Sequence, residues 1–206
     1  RTTAFSATEV GEAMEHMARA GIESGTIIEE VGGILDAAAA DQMGLGEAAQ
    51  IVAANMKAFS SQNLTATQIS DALAMASSKS MSSISTLGQS LRNVSATAEM
   101  FNIPFNEVVA SVAAMQDVGL DASTAGTAMN TMLNRLANPS GEVSQKMNEL
   151  GIQVRDAHGN MLPLPQVLEN LSGGLQNAGG NMDQVALLSD MMGLRAQKAG
   201  AILSKM

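Results

Sequence analysis

The groups in this chain that could exchange protons, attack carbon or bind a metal are few. There are two histidines, His16 and His158, and no cysteine. His158 lies two residues after Asp156 in "RDAHGNMLPL", residues 155–164, a pairing that could orient an imidazole as a general base. A nucleophilic triad would also need a serine or cysteine on a strained turn, and no G-x-S-x-G motif is present. His16 follows Glu12 by four residues but has no H-E-x-x-H partner, so two isolated histidines make no zinc site. Glu29–Glu30 is the only adjacent carboxylate pair, and its spacing puts it on the polar face of a helix. A glycosidase needs two carboxylates across a sugar cleft, usually beside aromatic rings, and this chain has four Phe, no Trp and no Tyr. These residues are read as surface groups, which leaves no catalytic, cofactor-binding or metal-binding residue to assign. The chain is expected not to be an enzyme and to need no cofactor.

The elements that carry these residues are helical. Val10, Ala13, Met14 and Met17 recur at the spacing of one buried helix face. So do Ile27, Val31, Ile34 and Ala38, and then Ala48, Val52, Met56 and Phe59. Ile84, Leu87, Leu91, Val94, Ala98 and Phe101 alternate steps of three and four, too briefly for a coiled coil, and predict one long helix. Ala125, Met129, Met132 and Leu136 mark another, and Leu164, Leu168, Leu171 and Leu175 one more. The tail offers Val185, Leu188 and Met192, then Ala199, Ile202 and Met206. Gly21-Ile22, Gly119-Leu120 and Gly151-Ile152 each end a helical pattern. Glycine accepts the left-handed backbone of a C-terminal cap, and the next apolar side chain folds back on the last turn. Thr65 and Gln68 form a capping-box pattern, and Pro139 and Pro165 sit near helix boundaries.

Between two of these helices, "LGIQVRDAHGNMLPL" alternates Ile152 and Val154 with Gln153 and Arg155, then turns through Asp156 and His158-Gly159. This predicts a short β-hairpin packed on the helices, since two strands alone are marginal in water. The His–Asp pair that opened the question therefore sits on a turn. An internal echo runs through the chain. Phe5 aligns with Ile103, 98 positions on, and with Leu64, 59 positions on, and each shift superposes further apolar residues. A repeat of stacked helical units is one explanation, and the default likeness of amphipathic helices is the other. Gly11, Gly32–Gly33, Gly126 and Gly173–Gly174 lie inside helical patterns. They fit close helix approach, a break, or a fold kept easy to melt.

The bulk numbers agree with this picture. The chain has 206 residues, 46% of them hydrophobic but only 2% aromatic, with 16 Met. A core of small aliphatic side chains and methionine is adaptable and lacks large aromatic anchors. Net charge is −9 and no Lys/Arg cluster appears, which opposes direct nucleic-acid binding. No apolar run approaches the ~20 residues of a membrane-spanning helix. The chain opens at Arg1 without a charged-then-apolar leader and is expected to be a segment of a longer polypeptide.

One long stretch is more specific than any single helix. "DVGLDASTAGTAMNTMLNRLANPSGEVSQKMNELGIQVRDAHGNMLPLPQVLENL" resembles the core domain of tail tape measure proteins of long-tailed bacteriophages and prophages. The motif positions are Gly119-Leu120, Ala125-Gly126-Thr127, Leu133 to Leu136, Leu150-Gly151, Val154, Asp156, Gly159 and Pro163-Leu164. "FSATEVGEAMEHMARAGI" and "AAADQMGLGEAAQIVAANMKAF" are similar to the family's opening helices, and "LLSDMMGLRAQKAGAILSKM" to its closing segment. Met192-Gly193 stands there where Phe-Gly is common.

The resemblance implies a structural module involved in tail assembly, length determination and genome delivery. It implies partners among other tape measure copies, tail tube and tail tip proteins and tail assembly chaperones, with the host membrane as a further candidate after ejection. The location implied is the virion tail, in the tube lumen or at the tip, and the host cytoplasm during assembly. The alternatives are a membrane-active helical module acting after ejection, or a generic helical protein-interaction domain. The expected fold is mainly α, a multi-helix bundle or short helical array with one small β-hairpin near residues 152–164. Residues 1–206 are expected to form one domain, with a subdivision into a helical half, 1–101, and a half of helices plus hairpin, 102–206.

Overall fold

The computed structural model describes residues 5–178 together with 180, 183, 184, 186, 188 and 189. Among them run nine α-helices: α1 (Ala7–Arg19), α2 (Ser24–Asp41), α3 (Leu45–Ala58), α4 (Ala66–Lys79), α5 (Ile84–Met100), α6 (Phe105–Asp117), α7 (Ala122–Ala137), α8 (Gly141–Glu149) and α9 (Leu164–Asn177). A 3₁₀ turn, Ser60–Gln62, joins α3 to α4. The tail patterns at Val185, Met192, Ala199, Ile202 and Met206, and the Met192-Gly193 pair, lie outside the described residues; Leu188 is described and buried.

Local chemistry starts and stops these helices. The expected box at Thr65 is present: the Gln68 amide donates to Thr65 Oγ1 at 3.1 Å, and the Thr65 amide donates to Gln68 Oε1 at 2.9 Å. Ser6 with Glu9 and Ser83 with Thr86 close the same way, and Asp121 accepts from the Thr124 amide at 3.0 Å. Gly21, Gly119 and Gly151 all take positive φ, at 87°, 91° and 71°. The amides of Ile22, Leu120 and Ile152 reach back to the carbonyls of Met17, Met115 and Met147, which completes the left-handed cap. Two further caps of this kind carry no glycine. Gln42 and Asn102 sit at φ 52° and 54°, and Met43 and Ile103 bond back to Ala38 and Ala98. The two internal shifts of 59 and 98 residues map the start of α1 at Ala7 onto the starts of α4 at Ala66 and α6 at Phe105.

Packing orders the first seven helices into a two-row array. Along one row α1, α3, α5 and α7 pack each on the next, and along the other α2, α4 and α6 do so, while consecutive helices join the rows. A stack of helix pairs of this kind grows in one direction instead of closing on itself. One continuous apolar core runs through it, from Ala13 to Leu188. Phe59 and Phe105 meet edge-to-face in that core, with centroids 5.1 Å apart at 71°.

Glycine sets how close the helices come. A Cβ built on Gly126 of α7 would stand 2.1 Å from the Ser90 carbonyl oxygen of α5, and one on Gly33 of α2 would stand 2.6 Å from the Thr67 nitrogen of α4. A Cβ on Gly88, at the α3–α5 contact, would stand 2.8 Å from the Ile51 side chain. Gly11, Gly32 and Gly173 meet nothing within 4 Å.

The expected β-hairpin is not found: among the described residues there is no sheet, and Arg155 and Met161 form one isolated antiparallel bridge. The supporting bonds are Asp156 amide to Asn160 carbonyl at 2.9 Å and Leu162 amide to Val154 carbonyl at 3.0 Å. The ladder stops there. The Leu164 amide, next in register to donate, goes to the Glu107 carboxylate at 3.1 Å, and the Ile152 amide is used by the α8 cap. The stretch is a bridged turn.

Candidate functional site

The residues singled out by their chemistry do not converge. On the bridged turn, Asp156 Oδ1 accepts from the His158 and Asn160 amides at 2.9 and 2.8 Å, and Oδ2 accepts from Asn160 Nδ2 at 3.2 Å. The Asn160 side chain, followed by its backbone N–H, holds the Asp156 carboxyl below the ordinary aspartate range. This carboxylate builds the turn. His158 Nδ1 lies 3.9 Å from Asp156 Oδ2, beyond hydrogen-bond range, on a side chain that is 85% exposed. His16 projects from α1 toward α3, where its ring lies 3.5 Å from Gln50 Nε2.

The Glu29–Glu30 pair divides. Glu29 is exposed, as expected, but Glu30 is half-buried and accepts from the Ala66 amide, at the N-terminus of α4, at 2.6 Å. It belongs to a set of acidic side chains, each of which takes an amide from a distant segment. Asp41, at the end of α2, accepts from the Ile84 amide of α5 at 2.9 Å. Glu99 of α5 accepts from Ser61 at 2.9 Å, Asp117 of α6 from Met81 at 2.6 Å, and Glu107 of α6 from Leu164 of α9 at 3.1 Å. Helix N-termini carry unsatisfied amides and the positive end of the helix dipole, so a carboxylate from a neighbouring helix satisfies both.

Their capping role was invisible to motif reading because each partner lies 36 to 57 positions away. One partial signal exists in the sequence: the N-cap residues of α6 and α9 are Pro104 and Pro163, which offer no capping side chain. Gln62 supplies the outside acceptor for α6, its Oε1 taking the Phe105 amide at 3.0 Å. Local caps are held in the same electrostatic way. Glu9 lies below its ordinary range through the Ser6 amide and then its hydroxyl, and Asp121 through the Thr124 hydroxyl and then its amide.

A cleft of about 810 Å³ opens between the end of α7, α8 and residues 152–157. Its charged groups are Arg155 and Asp156. The Arg155 guanidinium donates to the Ala137 carbonyl at the C-terminus of α7, and Asp156 is engaged in the turn. Among the described residues no three His, Asp or Glu side chains are placed to hold a metal ion. No helix among them is long and apolar enough to cross a membrane. The polar chemistry of the described chain joins helix to helix.

Comparison with known proteins gives this architecture its context. The sequence model of the family described as phage-related minor tail protein matches residues 1–193. A tape measure protein of Pneumococcus phage Dp-1 is 31% identical over 169 residues, which is 82% of this chain and 15% of that protein. A probable tape measure protein of Escherichia phage P2 is 27% identical over 202 residues, 98% of this chain and 25% of that protein. The chain thus spans a quarter or less of the length of these relatives. No solved structure matches it. With the family pattern running through all nine described helices, the chain belongs to the phage-related minor tail protein family, as a tape measure protein domain.

Proposed function

We propose that residues 1–206 act as one structural module within a longer tape measure polypeptide, serving tail assembly, tail-length determination and genome delivery. The observation that carries this reading is the family match over residues 1–193, supported by two tape measure relatives many times longer than the aligned segment. The module resides in the virion tail, in the tube lumen or at the tip, and in the host cytoplasm while tails are built. Its partners are other tape measure copies, tail tube and tip proteins, and assembly chaperones.

The physical chemistry suits that role. A net charge of −9 keeps an occupant of the tube from holding passing DNA. Catalysis has no part in the reading: Glu30, Asp41 and Glu107 accept amides at helix starts, and Asp156 builds the turn.

The test is an in-frame deletion of residues 1–206 in the phage or prophage that encodes the chain. Electron micrographs should show tails that are absent, shortened or irregular, and particles that fail to deliver DNA. Normal tails with normal infectivity would refute the proposal.

A further inference from the structure

The first seven helices hold one another along their lengths, each against the next two. The segment that follows is attached differently. α9 packs on the bridged turn: a Cβ on Gly174 would stand 2.1 Å from the Ile152 side chain, and Asn170 Nδ2 donates to the Gln153 carbonyl at 2.8 Å. Two polar links to the array are made at helix ends. Glu107 of α6 accepts the Leu164 amide at the start of α9, and Arg155 donates to Ala137, the last residue of α7. The apolar core continues into this segment through Met147, Ile152, Val167 and Leu171, so it is an extension of the fold.

We propose that residues 138–178 form a clasp that opens from α6 and α7 as a unit while α1–α7 remain folded, with Glu107 and Arg155 as its two catches. Each catch sets a full charge against the oppositely charged end of a helix, where dipole and hydrogen bond act together. Cooperative units with few helix-on-helix contacts open below the global unfolding free energy. The clasp rests on this packing and on the two polar links, and stands or falls independently of the tail role.

Native-state hydrogen exchange on the 206-residue chain tests it, comparing wild type, Glu107→Ala, Arg155→Ala and Glu30→Ala. In the wild type, α8 and α9 should exchange through an opening that leaves α5 and α7 protected. Glu107→Ala and Arg155→Ala should each speed α9 exchange roughly tenfold or more, the scale of a lost charged hydrogen bond, with α5 and α7 unchanged. Glu30→Ala, inside the array, should instead speed exchange in α1–α7 and leave the clasp's own opening unaltered. Should Glu107→Ala fail to fold, Glu107→Gln keeps an acceptor without the charge and should give a smaller acceleration confined to residues 138–178. One common exchange free energy for α9 and α5 in the wild type would overturn the proposal. So would variants that move every helix together, or catch variants that move none.

Discussion

A single methyl group distinguishes two kinds of helical glycine in this chain. At Gly126 it would enter the Ser90 carbonyl, so α5 and α7 would have to separate. Gly126→Ala is expected to destabilise the protein by about 2–3 kcal/mol, the scale of core overpacking. Gly11 in α1 has open space around its Cβ position. There the added methyl only reduces backbone freedom in the unfolded chain, and Gly11→Ala should stabilise by about 0.4–1 kcal/mol. Chemical denaturation of both variants checks the pair, and equal effects would contradict the geometry.

Asp156 gives a residue-scale prediction in pH. Its folded value is lowered, chiefly by the Asn160 side chain, so the turn gains stability that is complete above the ordinary aspartate value. That gain is lost as pH falls through the lowered folded value. A carboxyl NMR titration should place the Asp156 midpoint below that of an ordinary aspartate. The His158 and Asn160 amides should shift with it, and Asp156→Asn should abolish that step.

At the scale of elements, the start of α4 receives help from two directions. Thr65 accepts the Gln68 amide from within the same turn, and Glu30 accepts the Ala66 amide from α2. Thr65→Ala should cost about 1 kcal/mol. Glu30→Ala should cost about 1–2 kcal/mol, a charged hydrogen bond discounted for the partial exposure of the carboxylate. Because both serve one helix end, the double variant should depart from additivity in a thermal or denaturant cycle. The Thr65 cap was legible in the sequence because donor and acceptor are three residues apart. The Glu30 cap was not, because only the packing of α2 on α4 brings it within reach. The bridged turn shows the reverse case. Alternating apolar residues predicted a hairpin, and the chain does reverse there, but Glu107 takes the Leu164 amide and the α8 cap takes the Ile152 amide that a second pair of strand bonds would need.

At the scale of the molecule, the core is rich in buried methionine, with Met17, Met115, Met129 and Met132 fully enclosed and the Phe59–Phe105 pair buried among the described residues. Such a core packs to density through flexible side chains and contributes little rigidity. The chain should be strongly helical by circular dichroism and should melt within the ordinary mesophile range, about 45–65 °C. A sharp transition far above that range would contradict a malleable core. The array also explains where part of the negative charge goes. Glu30, Asp41, Glu99, Glu107 and Asp117 face amides of neighbouring segments, so some of the excess that opposes DNA also cements the fold.

The amphipathic helices, the Thr65 cap and the three glycine stops were determined by the sequence alone, because each depends on residues within one or two turns of one another. Family membership was legible for a related reason: the turn between Gly151 and Leu164 has a residue pattern too specific to arise from amphipathicity. Tertiary structure decided the rest. Gln42 and Asn102 take a backbone that their residue types rarely demand, and packing of Met43 and Ile103 into the core accompanies it. Which glycines are contact points and which lie in open space, and which carboxylates cap a neighbour and which face solvent, follow from helices meeting across dozens of residues. The order of the two rows has the same origin. Amphipathic stripes state only that a face must be buried, and the partner is chosen by complementary shape once all the helices compete for it.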